Sequence, residues 1–375
     1  MPNRTDTVGT QLASSVLHLV LLRRSSKTRC YHAVAGQKSV PQAKQVVYSA
    51  SSPGARCAGQ EWGAVDTYLI TGGAGFIGSH LAQTLQAAGH RVRVLDNFAT
   101  GRRANLALFA EDIEIVDGDI RDADAVRRAI VGCEIVLHQA ALASVQRSID
   151  DPQLSHDVNV NGTLNVLLAA RDAGVRRVVV ASSSSVYGDT PTLPKVETMP
   201  PEPLSPYAAS KLAVEAYGRA FAAAYDLPVI ALRYFNVFGP RQDPNSEYSA
   251  VIPRFVTRML AGTAPLIYGD GMQSRDFTFV QTVVEANLAA AVAPAALSGS
   301  FNVATGEQIT LLDLLEALNE LLGTEFTAEH APARPGEVRH SLGDARALRE
   351  TLGVRTHVPF IDGLAQTVAA YRSLY

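Results

Sequence analysis

Thr71-Gly72-Gly73-Ala74-Gly75-Phe76-Ile77-Gly78 decides how this sequence is read. It joins an apolar run, Asp66–Thr71, to a helical pattern over Phe76–Ala88. Gly72 permits a tight turn, Gly75 lets the backbone approach an anion, and Gly78 lets the helix pack close to the strand. The free N–H groups and the dipole of the helix N-terminus then face that anion. A glycine triplet alone is often just a loop; its place between strand and helix makes this one a phosphate-binding turn.

Working outward, short apolar strands alternate with longer helical patterns. Strands are expected over Arg91–Asp96, Asp112–Val116, Glu134–His138, Arg177–Ser182 and Pro228–Tyr234. Helices are expected over Arg121–Val131, Asp157–Ala173 and Tyr207–Tyr225. Continuous apolar strands between helices imply an α/β fold, a doubly wound parallel sheet covered on both faces. The chain after Tyr234 is less regular, with helices expected near Ala250–Ala261, Thr282–Ala293, Leu311–Leu322 and Ile361–Leu374.

Asp96 closes the second strand, 24 residues after Gly72. A carboxylate there accepts hydrogen bonds from ribose 2′- and 3′-hydroxyls and repels a 2′-phosphate, which favours NAD over NADP. The bland alternative is a carboxylate that caps a strand–turn junction. Phe76 and Ile77 in the loop, and Asn97 beside Asp96, are assigned to the same dinucleotide. Asp119 and Ile120 fall where its adenine would rest, although Asp119 could equally cap the helix from Arg121.

Of 375 residues, 47% are hydrophobic and 18% charged, which excludes a disordered chain. A net charge of −3 gives no reason to expect a nucleic-acid partner. No apolar run is long enough to span a bilayer. Cys30, Cys57 and Cys133 form no CxxC pair and no metal-ligand cluster, so no metal is expected and a reducing, cytoplasmic setting is. Residues 1–60 hold eight basic residues and one acid, Asp6. This Ser-rich, aperiodic leader is expected to be disordered; organelle targeting and a leader without function both remain open readings. The expected division is an extension over 1–62, a dinucleotide-binding domain over 63–240 and a smaller, mainly substrate-binding α/β subdomain over 241–375. Segments near 276–306 should return to the first domain.

Tyr207 and Lys211 lie four residues apart at the start of a helix, on one face. A phenol is a poor base at neutral pH, and a neighbouring ammonium stabilises its phenolate. The plain alternative is a solvated helix face. Ser182-Ser183-Ser184-Ser185 follows a strand, and strand C-termini line the ligand crevice of a doubly wound sheet. Arg233-Tyr234-Phe235-Asn236 ends a strand at the same rim.

These features resemble the extended short-chain dehydrogenase/reductase family, with its Rossmann dinucleotide-binding domain, and within it the nucleotide-sugar 4-epimerases. The resemblance runs from about Val65 to the C-terminus. It rests on TGGAGFIG, DGDIRD (Asp117–Asp122), HQAALASV (His138–Val145), NVNGT (Asn159–Thr163), SSSSVYGD (Ser182–Asp189) and LSPYAASK (Leu204–Lys211). RYFNVFGPRQDP (Arg233–Pro244), SRDFTFV (Ser274–Val280) and ARPGEVRHS (Ala333–Ser341) continue it in family order.

The resemblance implies Tyr207 as catalytic base and acid, Lys211 on the nicotinamide ribose, and Ser183 as the third catalytic residue. It places Ser144, Ser184 and Ser185 near the sugar, Phe235 near the nicotinamide and Asn236 on the diphosphate. Val251 and Ile252 fall in the uracil-binding stretch, Arg275 and Arg334 match phosphate-clamping arginines, and Glu337 matches a uridine-ribose ligand. Ser341 stands where a bulky Tyr restricts the pocket in some members; a small residue there resembles enzymes accepting N-acetylhexosamines. The implied activity is NAD-dependent 4-epimerisation of UDP-Glc/UDP-Gal, and also of UDP-GlcNAc/UDP-GalNAc, through a transient 4-keto sugar. Alternatives are a UDP-glucuronate 4-epimerase or decarboxylase, and a non-catalytic NAD-binding regulator. A dehydratase carries Asp-Glu after its catalytic Ser/Thr, where this chain has Ser184-Ser185. A homodimer through the helices Asp157–Ala173 and Tyr207–Tyr225 is also implied, with Tyr217 and Phe221 supplying apolar area.

Overall fold

The computed structural model describes residues 65–244, 250–333, 338–355 and 357–373. The first part runs β1 (Thr67–Thr71), α1 (Phe76–Ala87), β2 (Arg91–Asp96), β3 (Glu114–Asp117), α2 (Ala123–Ile130), β4 (Ile135–His138), α3 (Val145–Asp150) and α4 (Pro152–His156). A π-helical turn, Asp157–Asn161, leads into α5 (Gly162–Asp172), β5 (Arg177–Ser183), α6 (Pro206–Tyr225), β6 (Val229–Tyr234) and β7 (Asn236–Phe238). The remainder runs α7 (Val251–Leu260), β8 (Leu266–Tyr268), β9 (Ser274–Arg275), β10 (Phe277–Phe279), α8 (Val280–Ala291) and β11 (Gly299–Val303). It ends with β12 (Ile309–Thr310), α9 (Leu311–Leu322), β13 (Glu329–Ala331), α10 (Arg346–Leu352) and α11 (Phe360–Arg372).

Seven strands form one sheet in the order β11-β6-β5-β4-β1-β2-β3, every neighbouring pair parallel. Side chains alternate across it. Tyr68 and Ile70 pack with Leu81 of α1 and Val283 of α8, while Leu69 packs the other way with Val126, Val166 and Val214 of α2, α5 and α6. Each such side chain, fully buried, contributes about 1.5–3 kcal/mol. The strand order reverses between β1 and β4, which opens a crevice at their C-terminal ends.

A second apolar cluster gathers α7, α9 and α11 around Phe238, Phe277, Phe279 and Phe360. Its strands are short pairs: β7 with β10, β9 with β12, and β8 with β13. Residues 339–344 run as a strap beside them. Ser341 N–H donates to the Ser274 carbonyl (3.1 Å), and Lys195 N–H to the Leu342 carbonyl (2.8 Å). β11 pairs with β6, and α8 packs on the sheet, so residues 280–303 rejoin the large layer.

The structure corrects several expectations. Asp157–Ala173 is not one regular helix, because the π-helical turn swings Asn159 inward. Its side chain accepts from Leu142 N–H (2.8 Å) and donates to Ser210 Oγ (3.0 Å), tying β4's exit to α6. Asp122, not Asp119, caps α2, accepting from Asp124 N–H. Phe221 is 5% exposed and packs into the core, so it supplies no outer face, whereas Tyr217 is 37% exposed. Residues 1–62, including Cys30 and Cys57, lie outside the described residues. Among those described, no helix is long and apolar enough to cross a membrane, and no group of three His, Cys, Asp or Glu could hold a metal ion.

Candidate active site

Two cavities of about 380 and 490 Å³ open along the crevice. They share Phe76, Ile77, Ala143, Ser182, Tyr207 and Tyr234, so the space is continuous.

The first cavity is built on the β1–α1 turn and the turns that follow β2, β3 and β4. Gly72 adopts φ +68°, and a Cβ there would meet Ala140 N at 2.7 Å. A Cβ on Gly78 would sit 2.2 Å from the Gly72 carbonyl, so α1 approaches β1 only because this residue is glycine. Gly75 opens α1 with no side-chain cap, leaving the first N–H groups for a ligand. Asp96 accepts from Ala74 N–H (2.9 Å) and Phe98 N–H (2.8 Å); burial raises its pKa, and those two bonds oppose the rise. Asn97 donates to Asp119 (2.7 Å). The Arg121 bonds hold Asp119 down at about 2, so it stays ionised at this rim. Gly72, Gly75, Phe76, Ile77, Gly78, Asp96, Asn97, Asp119 and Ile120 all line this cavity, as do Tyr207 and Lys211.

Where the cavities meet, α6 begins with Ser205 capping it and Pro206 in its first turn. That start turns Tyr207 and Lys211 toward the sheet. Lys211 is 4% exposed; Nζ donates to the Ala181 carbonyl (2.9 Å) and lies 5.9 Å from the Tyr207 ring centroid. Burial lowers Lys211 to about 8, so it remains mostly charged at neutral pH with two further donors to place. Tyr207 lines both cavities, yet its phenol is desolvated; burial raises its pKa, and a hydrogen bond with Ser183 opposes that. Beneath this corner His138 is kept neutral, lowered by burial to about 3. Thr163 gives its proton to the Asn159 carbonyl, so His138 Nε2 donates to Thr163 and Nδ1 accepts from Thr71.

The second cavity draws on segments far apart in the chain. Ser183, Ser184, Phe235, Asn236, Val251, Ile252 and Arg275 line it. Arg275 is steered inward by bonds from Nη1 to the Ser274 and Arg339 carbonyls (2.9 and 3.1 Å). Three expected residues lie elsewhere. Ser144 spends its hydroxyl capping α3, where it accepts from Arg147 N–H, and Ala143 takes the cavity wall instead. Ser185 Oγ is buried without a partner and outside both linings. Ser341 sits in the strap, also outside both linings. Arg334 and Glu337 lie outside the described residues. Arg254, Tyr268 and Gln273 also line this cavity, although nothing in the sequence announces them. No local motif marks them; Arg254 Cζ comes 5.7 Å from the Tyr268 ring centroid only once α7 packs over β8.

The geometry fits a dinucleotide: a cradle closed to any Cβ, a free helix N-terminus, and a buried carboxylate at the far end. The sequence profile described as the NAD dependent epimerase/dehydratase family matches residues 68–304. The chain is 43% identical over 309 residues to a UDP-glucose 4-epimerase of Mycolicibacterium smegmatis, covering 81% of this chain and 98% of that one. A solved UDP-N-acetylglucosamine 4-epimerase from Methanobrevibacter ruminantium, in complex with UDP-N-acetylmuramic acid, superposes with TM-score 0.80 at 37% identity, over 84% of this chain and 100% of that one. A Thermus thermophilus UDP-glucose 4-epimerase in complex with NAD gives TM-score 0.76 at 40% identity, over 82% and 100%. With its glycine turn, its tyrosine–lysine pair and more than half its length matched, the chain belongs to the NAD-dependent epimerase/dehydratase family.

Proposed function

We propose that this chain is a UDP-hexose 4-epimerase that acts on UDP-Glc/UDP-Gal and also on UDP-GlcNAc/UDP-GalNAc. The observation that carries this reading is the place of Tyr207: it stands at the junction of the two cavities, lines the second together with Ser183 and lies close to Lys211. NAD, held by the glycine turn, Asp96 and Lys211, supplies a two-electron acceptor that is regenerated, so the reaction has no net redox. Tyr207 takes the proton of the sugar 4-hydroxyl and later returns it. Ser183 donates toward that oxygen, and the Lys211 charge favours the phenolate. Arg275 and Asn236 face the diphosphate, and Val251 and Ile252 the base. Ser184-Ser185 offers no acid to expel water from the hexose, which speaks against dehydration.

On this reading the large sheet is the NAD-binding domain and most of 241–375 the substrate-binding subdomain. A homodimer through α5 and α6 is the proposed assembly, with the exposed Tyr217 of α6 supplying apolar area. Light scattering at micromolar concentration should give twice the chain mass; a monomer refutes it. Product analysis with UDP-Glc, UDP-GlcNAc and UDP-GlcA offered separately tests the substrate. The first two should give their 4-epimers. Conversion of UDP-GlcA alone would replace this reading with the glucuronate one.

A further inference from the structure

Three side chains of α6, each one turn beyond the last, hold three consecutive residues of β5. Tyr207 lines the second cavity together with Ser183, whose hydroxyl also accepts from Ser185 N–H (3.1 Å). Lys211 Nζ donates to the Ala181 carbonyl at 2.9 Å. Glu215, fully buried, accepts from Ser182 Oγ at 2.6 Å. The first two contacts belong to the reacting corner, but Glu215 touches neither cavity.

Both oxygens of Glu215 are occupied. Oε1 takes Ser182 Oγ and Arg233 Nε (2.8 Å); Oε2 takes Arg233 Nη2 (2.7 Å) and Ser300 Oγ (3.0 Å). Arg233 Nη1 reaches on to Tyr187 Oη (2.8 Å), whose own proton goes to Asn302 Oδ1 (2.6 Å). Ser183 is therefore pinned from both sides, at Ser182 before it and at Tyr187 after it, by one buried ion pair. Burial alone would raise the carboxyl of Glu215; the Arg233 bonds, with Ser182 and Ser300, outweigh it and keep the group ionised. Arg219, on the outer side of α6, adds a distant contact at 3.9 Å.

We propose that Glu215 is a positioning residue that holds Ser183 in hydrogen-bonding register with Tyr207. A buried ion pair is a weak source of stability in itself, because desolvation offsets most of its attraction. What it supplies here is a fixed geometry: two planar groups joined by two bonds lock α6 to β6, and the Ser182 hydroxyl ties the end of β5 to the same carboxylate. A displaced Ser183 would no longer present its hydroxyl to the Tyr207 phenol, and the phenol pKa that this hydroxyl lowers would rise. That the displacement slows epimerisation rests on the function proposed above; the displacement itself does not.

The test reads Tyr207 directly, by NMR titration of the NAD-loaded protein carrying ring-labelled tyrosine, with Tyr207→Phe to assign the signal. Lys211 and Ser183 face this phenol, and His138 below is neutral; Lys211 itself titrates at about 8, before Tyr207, so the loss of the serine hydroxyl is read as the difference between variant and wild-type curves. Ser182→Ala removes one bond to Glu215 and leaves the ion pair intact; Glu215→Gln removes the charge. In both variants Tyr207 should titrate about one pH unit higher, with NAD content unchanged. In active protein kcat should fall ~10-fold while KM for the UDP-sugar changes little. Wild-type titration of Tyr207 in folded Ser182→Ala, even with a lowered Tm, would make Glu215 purely structural and overturn the proposal. A wild-type protein inert toward every UDP-sugar would overturn the function, and the titration would still decide the role of Glu215.

Discussion

The two cavities that meet at Tyr207 are built in opposite ways. The one against α1 is drawn mainly from turns at the C-terminal ends of neighbouring parallel strands, residues 72–78, 95–101, 118–121 and 139–143. The one beyond Ser183 is drawn from β7, α7, β8, β9 and α9, which share no turn and meet only after the Phe238 cluster packs. A site on the turns of one sheet is fixed by the fold and suits a cofactor common to a family. A site that rests on long-range packing can be retuned one residue at a time, which suits a varying sugar.

The largest expected effect falls on the boundary between the two. Tyr207→Phe should retain NAD and lose turnover by ~10²-fold or more, the scale of general acid–base catalysis. Cofactor content and rate measured on one preparation check this; near-normal turnover would remove Tyr207 from the reaction.

Next comes the substrate side alone. Ser341 is fixed by the strap at the edge of β9 rather than in the cavity wall. The serine itself does not touch the cavity, but its backbone is bonded next to Arg275 of the wall, and only a longer side chain there, as in Ser341→Tyr, would enter the cavity and exclude an N-acetyl group. The ratio of kcat/KM for UDP-GlcNAc to that for UDP-Glc should then drop by roughly ten- to a hundred-fold. Equal losses on both substrates would mean that this strap has no part in selecting the sugar.

The cofactor side carries an acid liability. His138 is held neutral, at about 3 against an unperturbed 6.5, by burial between β1 and α5. Below pH 6.5 the unfolded chain binds a proton that the folded chain refuses. Its contribution is thus complete above 6.5 and shrinks toward pH 3, by at most about 1.4 kcal/mol per pH unit. His80, lowered by burial to about 4, acts in the same direction. Denaturant midpoints between pH 7 and 5 should fall less steeply in His138→Gln than in wild type; parallel slopes would exclude the histidine as the cause.

The smallest effect concerns a local device on the substrate side. Thr310 and Asp313 form a capping box at the start of α9, with bonds of 3.0 and 2.9 Å. Thr310→Ala should lower stability by about 1 kcal/mol and leave NAD content untouched. Loss of cofactor in that variant would show the two regions to be coupled more tightly than their separate packing suggests.

This contrast also explains what the sequence made legible. The turn from Thr71 to Gly78, the carboxylate of Asp96 and the pair Tyr207–Lys211 are local, so spacing alone located them. Arg91–Asp96 and Leu311–Leu322 appear with their expected limits because one alternates Val with Arg before an apolar pair closed by Asp96, and the other is capped at both ends. The inward swing of Asn159 was not legible, since a π-helical turn leaves no mark on apolar spacing. Nor were Arg254, Tyr268 and Gln273, whose meeting depends on pairing of two- and three-residue strands distant in the chain. Ser144 stood in a matching motif, yet the helix start behind it needed its hydroxyl more.

The central claim is that both cavities serve one reaction in which the bound cofactor is not consumed. It is tested most directly by incubating purified protein with UDP-glucose and no added nucleotide, following the sugar by NMR, and then extracting the cofactor. The account predicts conversion to a mixture of the two C4 epimers, with NAD recovered in its original amount. No conversion, or recovery of NADP as the main bound species, would contradict it.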